Sequence, residues 1–307
     1  MRYIYEIWKE GSFSKAAEKL YLSQPTLSMA VKKVERSLGM PIFDRSRRPP
    51  VLTLAGKIYM ETVRQAMQLE EGMERRISDI RELNAGRLCL GGSHYLNSYI
   101  LPDVLTEFSR AYPKIKLELI EGSSDSLAKM LSEQELDLTF SCNEDFIADF
   151  TRYPAFRDHI LLAVPQMNPV NERCGAAALT AAQVMGGHHL DPACPAVPLE
   201  LFRSLEYILL TEGNNLHDRA GRLFREAGFQ PNIKLEVEQL VTAYHLVEHG
   251  LGAAFVSDRL VSAATNRLRY YKLNSRQTER IFYMLLPKRT YIPDAVRAFI
   301  ACFEERM

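Results

Sequence analysis

Within 46 residues, from Gly11 to Gly56, the chain sets out two helix caps, a left-handed helix stop and an arginine-rich turn in one fixed order. That order constrains the fold more tightly than any other feature. Ile4, Ile7 and Trp8 recur at helical spacing and predict a short first helix. Ser14 is the expected N-cap of a second helix through Leu20, with Ala16, Ala17 and Leu20 on its inner face. Ser23 caps a third helix. Pro25 stands in its first turn, where a missing N–H costs nothing. Leu27, Val31, Val34 and Leu38 repeat at three- and four-residue steps, and Gly39 supplies the C-terminal stop. Pro41–Arg45 and Val51–Thr53 read as two short strands around a basic tip stiffened by Pro49-Pro50. The pattern is that of a winged helix-turn-helix.

In such an arrangement the outer face of the third helix enters a DNA major groove and presents its N-terminal residues to base edges. Here that face carries Ser23, Gln24, Pro25, Thr26, Ser28, Met29 and Lys32, and Arg45, Arg47 and Arg48 supply the wing. Arginine on a rigid tip suits the minor groove or adjacent phosphates. Charge supports the assignment. Residues 1–60 hold eleven Lys and Arg against five Asp and Glu, a net of +6, while the remainder carries −6. A basic head on an acidic body docks one end on phosphate and keeps the other end off it.

Four motifs in this head resemble the DNA-binding head of LysR-type transcriptional regulators. They are G-S-F-S-x-A-A-x-x-L from Gly11, L-S-Q-P-x-x-S from Leu22, V-E-x-x-L-G-x-x-[IL]-F-x-R over Val34–Arg45, and L-T-x-A-G from Leu52. The resemblance implies a homodimer or tetramer that binds an interrupted inverted repeat in double-stranded DNA. It also implies activation or repression of transcription in response to a small molecule, with RNA polymerase as a further partner.

Thr53 is the expected cap of a long helix from Leu54 to about Leu83. Along it Val63, Ala66, Met73, Ile77 and Ile80 follow steps of three and four, with Glu70 as one acidic flaw. The stripe is read as the dimerisation face. Asn84-Ala85-Gly86 ends the helix.

From Arg87 onward strand and helix signals alternate, which predicts an α/β fold with largely parallel sheets. In such sheets ligands bind where strand C-termini meet helix N-termini. Three turns put small polar residues there: Ser93, Ser123 with Ser124, and Thr211 with Asn214 and Asn215. Backbone N–H groups at those helix starts favour an anion, although each serine taken alone also serves as a plain N-cap. The order of elements resembles the two-lobed effector domain of the same family and periplasmic solute-binding proteins. On that resemblance the effector pocket maps onto Ser93, His94, Ser123, Ser124, Cys142, Thr211 and Phe255.

The expected architecture is therefore α plus α/β. It has a winged helix-turn-helix over residues 1–56, a linker helix over 57–85 and a two-lobed, periplasmic-binding-protein-like effector domain over 86–307. Lobe I is expected to span about 86–150 and 257–307, and lobe II about 151–256.

Other chemistry is set aside. The segment Met1–Glu10 lacks the apolar core of a secretory leader, and no uncharged apolar run of membrane-spanning length occurs, so a cytoplasmic location is expected. Cys89, Cys142, Cys174, Cys194 and Cys302 form no C-x-x-C. A redox-responsive regulator using Cys174 and Cys194 stays as one alternative, and a solute-binding receptor without DNA function as another. His188-His189-x-Asp191-x-x-Cys194 offers metal-ligating residue types, but adjacent histidines seldom converge on one ion. Ser12-Phe13-Ser14-Lys15 matches S-x-x-K without its companion motifs, and no phosphate-binding or dinucleotide glycine loop is present. No enzyme, cofactor or metal is expected.

Overall fold

Three helices of the head begin where a short polar side chain accepts an otherwise free amide. The computed structural model describes residues 2–47, 49–79, 86–262, 266–288 and 291–306. Helix α1 (Arg2–Glu10) buries Ile4 and Ile7, whereas Trp8 lies under the Arg64 guanidinium, 4.8 Å away. Helix α2 (Phe13–Lys19) is capped by Ser12, which accepts from the Lys15 amide at 3.4 Å. This corrects the assignment of Ser14. Gly11 takes φ +59, which turns the chain one step earlier and leaves Ser12 extended at the cap position. Helix α3 (Gln24–Leu38) has Ser23 as its cap and Gly39 as its left-handed stop at φ 71. Leu27 and Val31 are buried; Leu38 is exposed, because the last turn of α3 runs past the core.

Strands β1 (Phe43–Asp44) and β2 (Val51–Leu52) pair antiparallel as the wing. The Thr53 hydroxyl donates to the Pro41 carbonyl at 2.6 Å and accepts from the Gly56 amide at 3.0 Å, which fixes the start of helix α4 (Leu54–Asp79). Met60 and Val63 of α4 belong to the same buried cluster as Ile4, Ala16, Leu27 and Ile42. Val63 is therefore a core residue of the head rather than part of a partner-facing stripe. Ala66 is half-buried and Met73 exposed; Ile80 and the side chain of Ile77 lie outside the described residues. Leu54, Ile58, Leu69 and Met73 project from the helix into solvent.

The chain divides into two compact units, Met1–Ile80 and Arg81–Met307. In the second, β3 (Gly86–Gly92) alternates its side chains between two layers. Leu88 and Leu90 pack with Val104 and Phe108 of helix α5 (Leu101–Ala111), whereas Cys89 packs with Leu127 and Leu131 of helix α6 (Ser124–Ser132). Parallel partners flank β3: β4 (Ile115–Glu121) on one side and β5 (Leu138–Ser141) on the other. A short helix α7 (Glu144–Ile147) leads into β6 (Thr151–Pro165), fifteen residues long. Beyond it come helices α8 (Val170–Cys174) and α9 (Ala181–Met185), strand β7 (Glu206–Leu210), helix α10 (Asn215–Glu226) and strand β8 (Asn232–Val237). Helix α11 (Leu240–Glu248), strands β9 (Ala254–Ser257), β10 (Leu268–Lys272) and β11 (Glu279–Leu286), and helix α12 (Asp294–Arg306) complete the chain.

The seven-stranded sheet has the order β10-β6-β11-β5-β3-β4, with β9 also on β6. Among the described strands β4-β3-β5 and the separate pair β7-β8 are parallel, whereas β6 runs antiparallel to β9, β10 and β11. The body is thus a mixed sheet rather than a largely parallel one. Strand β6 is the bridge between the lobes. It pairs with β11 as far as His159, then with β9 from Ile160 and with β10 from Leu161. The chain leaves lobe I near residue 159 instead of 150. It returns through β11 after residue 272, not near Val256, because β9 and β10 both bond to the lobe II half of β6.

Candidate functional site

The head presents the outer face of α3 with Gln24, Thr26, Met29 and Lys32 exposed. Ser23 is engaged at the helix start, its hydroxyl 2.7 Å from that of Thr26 and accepting from the Thr26 amide. Arg45 does not stand free. Its guanidinium donates to Ser28 Oγ at 3.2 Å and to Glu35 Oε2 at 3.1 Å, and lies 4.9 Å from the centre of the Phe13 ring. Glu35 Oε1 in turn accepts from the Ile42 and Phe43 amides. These two residues tie wing to recognition helix, a role that the sequence reading misses although both stand in the V-E-x-x-L-G-x-x-[IL]-F-x-R run. Arg47 is the exposed arginine among the described residues of the tip, its side chain 72% exposed and its Nε 3.7 Å from Asp44 Oδ2 in an ion pair. The Ser46 hydroxyl and amide, followed by Arg47, keep the Asp44 carboxyl below its usual range. Arg48 lies outside the described residues.

In the body, a cavity of about 70 Å³ opens where the two lobes meet. A single water needs roughly 10–15 Å³ by the same kind of measure, so the space has room for several waters or a small organic group. Lobe I contributes Ser93 after β3, Ser124 of α6 and Cys142 after β5. Lobe II contributes Asn214 and Asn215 at the start of α10, and Gln239 before α11. Three helix N-termini thus border one space, which Glu238 also lines; N–H groups at a helix start favour negative charge.

Arg280 of β11 lines the same cavity. Its side chain is 5% exposed and paired with the fully buried Asp158 of β6. Nε donates to Asp158 Oδ1 at 2.7 Å. Nη2 lies equally close to that oxygen without hydrogen-bond alignment, and no acceptor among the described residues takes its protons. The other carboxylate oxygen, Oδ2, accepts the hydroxyls of Tyr95 at 2.9 Å and Ser257 at 2.6 Å. Burial works against the Arg280 charge, but the adjacent Asp158 outweighs it and holds the guanidinium above its usual pKa. Burial also pushes the Cys142 thiol up; the thiol donates to Asn215 Oδ1 at 3.2 Å. Arg219 bonds the same Asn215 oxygen and the carbonyls of Gln277 and Glu279 at the return to lobe I.

Of the seven residues mapped to this pocket, Ser93, Ser124 and Cys142 line it. The other four lie off it. His94 turns outward to Glu121, Nδ1 to Oε2 at 3.2 Å. Ser123 is used as the cap of α6. The Thr211 backbone ties β7 to β8, its amide donating to the Val237 carbonyl. Phe255 is buried against Tyr207 and Phe224 in the core of lobe II, because alternation along β9 points it inward. Arg280, Tyr95 and Asp158 are not found from the sequence. The available signal is alternation: Arg280 shares the inward phase of β11 with Phe282 and Met284.

Two family models match the chain. A bacterial regulatory helix-turn-helix protein model of the lysR family covers residues 1–57. A LysR substrate binding domain model covers residues 81–307. The HTH-type transcriptional regulator YcgK of Bacillus subtilis is 28% identical over 100% of this chain and 94% of its own length. A probable RuBisCO transcriptional regulator of Cyanidioschyzon merolae is 26% identical over 97% of this chain and 94% of its own. Among solved structures, a full-length OxyR variant from Pseudomonas aeruginosa has a TM-score of 0.69 at 23% identity, covering 98% of this chain and 95% of that one. Full-length CbnR complexed with its target DNA has a TM-score of 0.65 at 19% identity, covering 99% and 97%.

Proposed function

This chain belongs to the LysR family of bacterial transcriptional regulators, and we propose that a small anionic molecule bound at Arg280, between the two lobes of its body, sets its regulatory state. The protein is a DNA-binding regulator of transcription and not an enzyme. Its head reads an interrupted inverted repeat as part of a homo-oligomer. Gln24, Thr26, Met29 and Lys32 face the major groove, and Arg47, with Arg48 beside it, faces the backbone or minor groove. Arg45 and Ser28 brace the wing against the reading helix. The exposed apolar residues of α4 (Leu54, Ile58, Leu69 and Met73, with Ala66 beside them) pair with a second copy. Such a regulator works in the cytoplasm next to RNA polymerase; among the described residues no helix is long and apolar enough to cross a membrane.

The observation that carries the effector reading is the Arg280 guanidinium. A buried cation lining a cavity, with one nitrogen lacking a well-aligned acceptor, favours a ligand that brings an acceptor there, a carboxylate or phosphate above all. A ligand carboxylate or phosphate there would also draw on the N-termini of α6, α10 and α11. Because β6 and β11 both pass the site, occupancy favours one lobe arrangement over another and shifts the balance of regulatory states.

The test is a thermal-shift series with inorganic phosphate, small mono- and dicarboxylates, and the matching neutral amides. A ligand at a hundred times its Kd stabilises by about 2.7 kcal/mol, which raises the melting temperature by roughly 5–10 °C in a domain of this size. At least one anion should do so while its amide does not. The effect should vanish in an Asp158→Asn, Arg280→Met double variant, which leaves no charge buried alone. Equal stabilisation by the neutral amide, or by the anion in that variant, would overturn the reading.

A further inference from the structure

Where β6 crosses between the lobes, strand alternation sorts four polar residues onto two faces. Asp158 and Ser257 meet on the face that carries Arg280. Their immediate neighbours, His159 and Asp258, meet on the other. The His159 amide donates to Asp258 Oδ1 at 3.0 Å, and His159 Nδ1 lies 3.2 Å from Oδ2. A third residue comes from the segment that joins α9 to β7: His189 Nε2 lies 2.9 Å from the same Oδ2. The two imidazole rings stand edge to face at 5.8 Å. One ligating atom from each of the three residues falls within 4.8 Å of the others.

We propose that His159, His189 and Asp258 form a binding site for a divalent transition metal of the zinc class. The separations of 2.9 and 3.2 Å between ring nitrogens and carboxylate oxygen suit adjacent corners of a coordination shell. Bonds of about 2.0–2.1 Å place such corners roughly 2.9–3.4 Å apart. Two imidazoles and one carboxylate suit zinc, cobalt or nickel; magnesium and calcium prefer shells of oxygen. The side chains of His189 and Asp258 are 4% and 11% exposed and that of His159 is 25% exposed, so solvent reaches the site from the His159 side and supplies the remaining ligands as water.

When Nε2 binds the ion, the ring proton of His189 sits on Nδ1, which is buried without a hydrogen-bond partner among the described residues. Metal binding replaces the two N–H···O contacts to Asp258. Each ring turns a nitrogen lone pair to the ion and carries its proton on the other nitrogen, while Asp258 keeps its negative charge against the cation. A local reading that joins His188, His189, Asp191 and Cys194 misses the site because its ligands come from three distant stretches. The site would fasten β6, the turn after β9 and the His188–Leu190 turn together at the root of lobe II.

The test uses the full-length protein, stripped with a chelator and titrated with Zn2+ by calorimetry and with Co2+ by visible absorption. Wild type should bind one equivalent at this site, with a Co2+ spectrum of nitrogen and oxygen ligands and no thiolate charge-transfer band. His159→Gln and His189→Gln should weaken that binding by more than the roughly 10–100-fold that loss of an outer-shell partner costs. Circular dichroism establishes that each variant is folded; should His189→Gln unfold, His159→Gln, at the more open position, carries the test. No binding by wild type, undiminished binding by folded His159→Gln, or a thiolate band for the single equivalent would overturn the proposal.

Discussion

Asp158 and Arg280 show how one pair of side chains defines a site and how charge in a core resists reading from sequence. Neither is suggested by residue type, since arginine and aspartate are seldom fully buried unless paired. Alternation along β11 places Arg280 inward regardless, and the crossing of β6 places Asp158 against it. Removing one partner from a buried ion pair costs about 3–5 kcal/mol, because the other charge is stranded. Asp158→Ala should therefore lose about that much in urea denaturation, with most of it recovered when Arg280→Met is added. A loss below about 1 kcal/mol for the single variant would show that the pair is hydrated and not a buried anchor. Ser93 and Ser124 were legible as cavity-lining residues because turns after strands border the crevice in open α/β sheets, and Cys142 was placed there by the family resemblance. The buried Cys142 thiol, with its raised pKa, is poorly suited to oxidation and lends nothing to a redox reading.

At the scale of elements, the head was legible almost residue by residue, because caps and stops are local. The Ser23 cap, the Pro25 first turn and the Gly39 stop depend only on their own few neighbours. Gly56 shows the limit of local reading. A Cβ there would lie 2.1 Å from the Ile42 carbonyl oxygen, so the glycine is needed for close passage of α4 over the chain entering β1. Gly56→Ala should destabilise the head by about 1–3 kcal/mol and sharply weaken DNA binding, measured by thermal melting and mobility shift; a neutral outcome would mean that this contact relaxes freely. In the body, strand positions were legible and their directions were not, since hydrophobic runs do not record the pairing partner. Along β6 only Ile160–Val164 forms an uninterrupted aliphatic run. Pro154 argues against a strand at its position, yet β6 accommodates it where the register against β11 shifts between Phe282 and Tyr283.

At the scale of the whole molecule, the split of +6 over residues 1–60 and −6 over the rest gives the chain a phosphate-seeking end and a phosphate-avoiding end. The proposed assembly rests on α4. Its inner side closes the head core through Met60 and Val63, which leaves Leu69, at 76% exposure, among the residues available to a second copy. Leu69→Glu should shift sedimentation toward smaller species while leaving head stability within about 0.5 kcal/mol of wild type, whereas Val63→Ala should lower head stability instead. The same sedimentation profile for Leu69→Glu and wild type would move the interface elsewhere. In the proposed function the assembled heads read DNA through α3 and the Arg47 tip. Its most direct test is a footprint of the purified protein on the intergenic DNA upstream of its own gene, at two salt concentrations, beside Arg47→Ala. A protected interrupted palindrome whose affinity falls steeply with salt is expected, with a log–log salt slope smaller by about 1 in the variant. Specific protection with the same affinity and slope in Arg47→Ala, or salt-insensitive binding by wild type, would contradict it.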